Sequence, residues 1–163
     1  MTLVALAAVA GPQNVGDHSK AETEVYFVVF RSVITQRLAH DRSEDFSFFL
    51  SLSPADSVAP EKRKFLIRDA PREILDRLSD AGLPVKPGSQ AIQPQPMQQV
   101  VDKNTMSPGL RVVLNRVTWT SESEAAVYCE TYGHGKDAAG KLIHLRYSGQ
   151  EWSIVSVDPK WKS

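Results

Sequence analysis

The chain has 163 residues, 42% of them apolar and 23% charged, and its 19 basic and 19 acidic side chains cancel. A chain of this length can bury about two thirds of the surface it exposes when unfolded. Zero net charge, with no basic cluster beyond Glu61-Lys62-Arg63-Lys64, argues against nucleic acid or anionic membrane as a partner. One cysteine, Cys129, excludes an internal disulfide and a Cys-rich zinc site, and no stretch reaches the ~18 to 20 apolar residues of a membrane span.

Thr2 to Ala10 is small and apolar, and Gly11-Pro12 breaks it. Ala8-Val9-Ala10 fits the small-x-small pattern of signal-peptidase cleavage, without the charged region that normally precedes it. Residues 1–18 are therefore expected to be a signal-peptide remnant or a disordered lead-in, ahead of a single α+β domain over residues 19–163. Cleavage would make the protein secreted or periplasmic. If these residues are instead a strand or tail, it is cytoplasmic.

Ser19-x-x-Glu22 is a capping-box pattern and predicts a helix from Lys20 to Ala39. Val25, Val28, Val29, Ser32, Val33 and Gln36 trace one stripe, and Tyr26, Phe30, Ile34 and Leu38 trace its neighbour. Two such stripes require deep cover, as for a helix lying across a sheet. Phe46 to Leu52 reads as a strand and Phe65-Leu66-Ile67 as a brief one. Asp69 is the expected cap of a second helix, with Pro71 in its first turn, Ile74, Leu75 and Leu78 buried, and Gly82 as its stop. Leu83 to Ser89 reads as extended. Residues 90–109 open with five Gln and two Pro in ten residues and read as a flexible surface connection.

A four-stranded antiparallel meander follows, with strands Leu110–Thr120, Ala125–Tyr132, Lys141–Tyr147 and Trp152–Val157. Hairpins closed symmetrically about their turns put Asn115 opposite Glu130, Glu130 opposite Ile143, Cys129 opposite His144, and Ile143 opposite Ser156. One face then collects Val113, Val117, Trp119, Ala126, Tyr128, Tyr132, Ile143, Leu145, Tyr147, Trp152 and Ile154, and is expected to lie under the helices. The other carries Val112, Leu114, Val127, Cys129, Leu142, Val155 and Val157. Asn115, Glu130 and Ser156 interrupt the aromatic face as a polar row. A carboxylate on an apolar surface is expensive to bury unpaired, so the row is expected to line a pocket or an open rim.

A long N-terminal helix, a second helix, and a meander closing in Gly149-Gln150-Glu151-Trp152 resemble the cystatin-like, NTF2-like superfamily. The stretch Asp69-Ala70-Pro71-Arg72-Glu73-Ile74-Leu75 and the strands bearing Trp119 and Trp152 also look like uncharacterised bacterial proteins of that shape. The resemblance implies a curved sheet wrapping a helix, with a cavity at its open end. Members include isomerases, dehydratases and non-catalytic binding domains. The acidic residues of the ketosteroid-isomerase branch cannot be placed here residue by residue, so that catalysis is not implied.

Site chemistry centres on the polar row. A Glu130 held among aromatics could move a proton while Asn115 or a tyrosine holds an oxyanion. Tyr128, Tyr132 and Trp119 could orient a ligand beside Asn115, Glu130 and Ser156. Cys129 and His144 lack a third group to orient them. His18, His40, His134 and His144 have no metal-ligand spacing, and Gly133-His134-Gly135-Lys136 is not a phosphate loop, so neither metal nor cofactor is expected. Ser51, Ser53 and Ser57 lack a nucleophile elbow. The expected function is binding of a small apolar molecule or a protein partner without catalysis. The alternatives are a cofactor-free isomerase or lyase using Glu130, and an accessory domain that associates through its sheet, as a homodimer on the outer face.

Overall fold

In a computed structural model of the protein, residues 18–40, 45–54, 67–95 and 98–163 are described. The expectations for residues 1–17, and for Phe65 and Leu66, lie outside them. The fold is α+β, with two helices among the described residues packed on a large mixed sheet.

Helix α1 spans His18–Leu38. It is already formed at His18, so Ser19 lies inside it and not at its cap, and Glu22 instead accepts a 2.8 Å hydrogen bond from the Tyr26 hydroxyl. Both predicted stripes are used: Val25, Tyr26, Val29, Phe30, Val33 and Ile34 are buried. All six are β-branched or aromatic strand formers, at a helix-propensity cost of up to ~0.7 kcal/mol each. Burial of each contributes roughly 1.5–3 kcal/mol, so packing decides for the helix.

Strand β1 (Ser47–Ser53) sits inside the sheet. It pairs in parallel with β6 (Gly109–Asn115) along its whole length, from Ser47 opposite Gly109 to Ser53 opposite Asn115. Its other edge is shared by β2 (Arg68–Asp69, antiparallel) and β3 (Val85–Pro87, parallel). The sheet is thus mixed where an antiparallel one was expected. Helix α2 (Arg72–Asp80) buries Ile74 and Leu78, and Gly82 follows it at φ 78°. Asp69 does not cap α2. It belongs to β2, and its carboxylate accepts from the amide and hydroxyl of Ser89 at 2.6 and 2.7 Å. Arg77 ties α2 to α1: its guanidinium donates to Glu24 at 2.6 and 3.1 Å and lies 3.9 Å from the centre of the Phe27 ring.

The segment expected to be a surface connection covers the second face of the sheet. A 3₁₀ turn (Gly88–Gln90) leads to β4 (Ala91–Ile92), which pairs with β5 (Val101–Asp102). Ala91 and Val100 close over Phe49, with Tyr132 beside them. The layer is pinned by Asp102, whose side chain is 1% exposed. Asp102 accepts from Lys86 Nζ at 2.6 Å and from the amides of Asn104 and Thr105 at 2.7 and 3.2 Å.

The meander is present, but its register differs from the symmetric one. The first predicted strand is broken into β6 and β7 (Thr118–Ser121). Ser121 and Glu124, read as part of the turn, pair at its base. An irregularity at Thr120 then puts Trp119 opposite Ala125 instead of Ala126. The bend at Arg116-Val117 slips the register once more, so Val113, not Asn115, faces Glu130. Between β8 (Glu124–His134) and β9 (Asp137–Tyr147) the strands run on to a two-residue turn at Gly135-Lys136. Ala138, Ala139 and Gly140, read as loop, continue the ladder because small side chains crowd neither face. This shift of three residues puts Glu130 opposite Gly140, Val127 opposite Ile143, and Cys129 opposite Lys141. The last hairpin, to β10 (Trp152–Lys162), begins as expected with Trp152 opposite Tyr147. A bulge at Val155 then sets Val157, not Ser156, against Ile143.

The expected faces are therefore mixed. The helix-covered core combines Val112, Leu114, Val127 and Cys129 with Val117, Trp119, Ile143, Leu145, Trp152 and Ile154. An odd shift in register exchanges the faces of a strand. Of the outer apolar patch, Val155 and Val157 are exposed and Leu142 is half-buried, while Val112, Leu114 and Val127 lie under the helices.

On the outer face the indole of Trp161, 43% exposed, donates to the Tyr128 hydroxyl at 2.7 Å across Gly140. A Cβ on Gly140 would run into both groups. Gly140→Ala should displace the indole and cost ~1 kcal/mol, the lower end of overpacking because the surface can yield. Tryptophan emission, compared with Trp161→Phe, and thermal melting check this; an unchanged spectrum and midpoint would contradict it.

The Lys86 ammonium, helped by the two backbone amides, holds the Asp102 carboxyl below the usual carboxylate range. A carboxyl depressed on folding stabilises the protein above its unfolded pKa of about 3.9. That stability is lost as pH falls through the folded value. Asp102→Asn should lower the melting temperature at neutral pH and narrow its gap to wild type below about pH 4. Melts across that range read the effect, and a constant gap would refute it.

Candidate functional site

Strands β1 and β6 end together at Ser53 and Asn115, beneath the first turns of α1. A half-open cavity of about 290 Å³ lies there, lined by Glu22, Tyr26, Leu52, Ser53, Pro54, Arg68 and Arg116. Each element delivers its residue for a local reason. Glu22 and Tyr26 are four apart on α1 and so share one face. Arg68 is in β2, which runs antiparallel to the end of β1. Arg116 stands at the bend between β6 and β7, where the ladder with β8 is interrupted.

The cavity wall is apolar along Leu52, Pro54 and the Tyr26 ring, and its polar groups fall into two kinds. Glu22 and Tyr26 are bonded to each other. Burial, reinforced by that bond, pushes the Tyr26 hydroxyl above its ordinary range, while Arg116 acts in the opposite sense. Tyr26 is therefore a neutral donor across the physiological range. The second kind is unspent. Ser53 and Asn115 are each 2% exposed, and Ser53 Oγ and Asn115 Oδ1 have no hydrogen-bond partner among the described residues. Such groups ordinarily find one. Arg68 and Arg116 are exposed and form no ion pair among the described residues, where Arg37, Arg77 and Arg146 are paired with Asp137, Glu24 and Glu124.

None of the six residues singled out from the sequence lines this cavity. Asn115 comes nearest, as the register partner of Ser53. Glu130 is half-buried on the outer face, opposite Val113 and Gly140, and is engaged by a partner. Ser156 is exposed and faces His144, so the predicted polar row does not form. Tyr128 is held by Trp161. Tyr132 packs beside Phe49 and accepts from Gln93 Nε2 at 2.9 Å. Trp119 lies between His18 and Trp152, at ring separations of 4.9 and 5.5 Å. Cys129 and His144 are also apart: Cys129 is buried under the helices, and His144 lies 3.3 Å from Asp158. Burial pushes the Cys129 thiol up to about 12, which leaves it inert as a nucleophile.

The residues missed left some trace. Arg116 follows Asn115 in an otherwise apolar strand, and Glu22-x-x-x-Tyr26 puts a carboxylate and a phenol on an inward stripe. A second, wider groove of about 720 Å³ lies on the other side of α1, between Lys20, Glu24 and Arg31 and the Glu122, Glu151 and Trp152 region. Its charges are mixed in sign, and Glu24 is already bonded to Arg77. Among the described residues no three His, Cys, Asp or Glu side chains group closely enough to hold a metal ion. Comparison of the chain with protein-family models, curated proteins and solved structures gives no match in any of the three.

Tyr26→Phe removes the bond between the buried phenol and Glu22. It should cost ~1–2 kcal/mol, the range for a hydrogen bond to a charged partner that keeps some access to water. Urea denaturation measures this, and a loss below the error of the method would show that the bond does not support the cavity wall.

Proposed function

We propose that the domain binds a small, largely apolar molecule in the cavity under α1 and does no chemistry on it. The observation that carries this reading is the cavity itself: half-open, about 290 Å³ in volume, walled by Leu52, Pro54 and Tyr26, and furnished with few polar groups. Ligand pockets have this composition, and this one is at the small end of their range of about 300–1,000 Å³. At roughly 30 Å³ per water-sized unit it accepts about nine or ten non-hydrogen atoms.

The polar groups favour holding over reacting. Glu22 is engaged by Tyr26, and burial keeps the Tyr26 proton in place. Arginine stays charged and is a poor base. The alternative of proton transfer by Glu130 is the weaker one, since that side chain alternates with the core residues Val127 and Cys129 and so points to the other face. The cystatin-like, NTF2-like resemblance belongs to this proposal too, because a pocket between helix and sheet end is what it implies.

Six-carbon probes test the reading. Hexanoate, hexanol and hexylamine titrated against the full chain should include at least one that shifts the amide resonances of Leu52, Ser53 and Val117. Filling the cavity with Leu52→Phe or Pro54→Trp should abolish those shifts in a protein that remains folded by circular dichroism. If no probe shifts them, or if filling leaves binding intact, the cavity is not a binding site.

A further inference from the structure

We infer that the molecule held in this cavity carries an anionic head, a carboxylate or similar monoanion, read by Arg68 and Arg116 with the Ser53 hydroxyl as an additional donor. The inference rests on the cavity being a binding site and adds the class of its ligand.

Three observations carry it. Two arginines from different elements, β2 and the β6–β7 bend, line one small cavity. Neither has an ion-pair or hydrogen-bonding side-chain partner among the described residues, although Arg77, Arg146 and Arg37 do. Ser53 lines the same cavity, and its buried hydroxyl has no hydrogen-bond partner among the described residues. A buried hydroxyl left unmatched costs free energy that a ligand oxygen would recover. Among the lining residues the opposing charge is Glu22, one oxygen of which already accepts from Tyr26 at 2.8 Å. The two lining arginines outnumber it. Guanidinium is matched in shape to a carboxylate, and its hydrogen bonds to one are about twice as strong as neutral ones. A cationic head would meet two like charges for one occupied carboxylate. A neutral polar head would leave both arginines as they are. The apolar wall then receives the body of the ligand, so the complement of the site is a short-chain or compact amphiphile with one negative end.

The test compares probes of one length and different charge on the full chain. Hexanoate should bind at least tenfold more tightly than hexanol, with hexylamine weakest, and the preference should fall steeply with added salt. Arg68→Gln and Arg116→Gln should each weaken hexanoate about tenfold and the double variant about a hundredfold, leaving hexanol unchanged. Ser53→Ala should weaken hexanoate by a smaller factor without altering the salt dependence. Equal affinity for hexanoate and hexanol, lost on Leu52→Phe but indifferent to the arginines, would overturn the anionic head and leave the cavity reading standing. Hexanoate binding that needs the arginines but survives Leu52→Phe and Pro54→Trp would mark surface ion pairing and overturn both readings. So would the failure of every probe to bind.

Discussion

Phe48 and Phe49 are neighbours in one strand, and both are completely buried. Successive side chains of a strand point to opposite faces, so β1 has to be covered twice. Phe48, with Leu50 two residues on, faces α1 and α2, while Phe49 faces Ala91 and Val100. The rest of the architecture answers this requirement. Parallel pairing with β6 needs a long crossover, and the crossover supplies the missing material: α2 for one face and the 88–102 layer for the other. Lys86 and Asp102 hold that second layer to the sheet.

The same pairing makes the cavity. Because β1 and β6 run parallel and in register, they end together at Ser53 and Asn115. Arg116 turns away from the ladder there and β2 brings Arg68 to the same end. The Tyr26–Glu22 bond uses two of the polar groups internally. Two cations and a buried hydroxyl then remain without a partner among the described residues. That imbalance, more than the volume of the cavity, gives the site its chemical character.

How legible this was in the sequence varies by element. The double stripe of α1 is legible because helical periodicity depends only on neighbours three and four residues apart. Ile74 and Leu78 with Gly82 mark α2 for the same reason. The β9–β10 turn is also local, and Trp152 lies opposite Tyr147 as its pattern requires. The site was not legible. Asn115, Glu130 and Ser156 form a row only if three hairpins are regular, and Thr120, Gly133 and Val155 each introduce an irregularity. Every such residue moves all later side chains to another partner.

The sequence by itself determined the α+β class, the two helices, and a C-terminal run of antiparallel strands. These follow from periodicity and turn chemistry, which are short-range. Only the tertiary structure decided that β1 enters the sheet parallel to β6, which residues of the meander lie under the helices, and that Glu22, Tyr26, Ser53, Arg68 and Arg116 share one cavity. Those facts depend on pairing across long separations in the chain. There, a single-residue bulge costs little energy and reverses which face a side chain occupies.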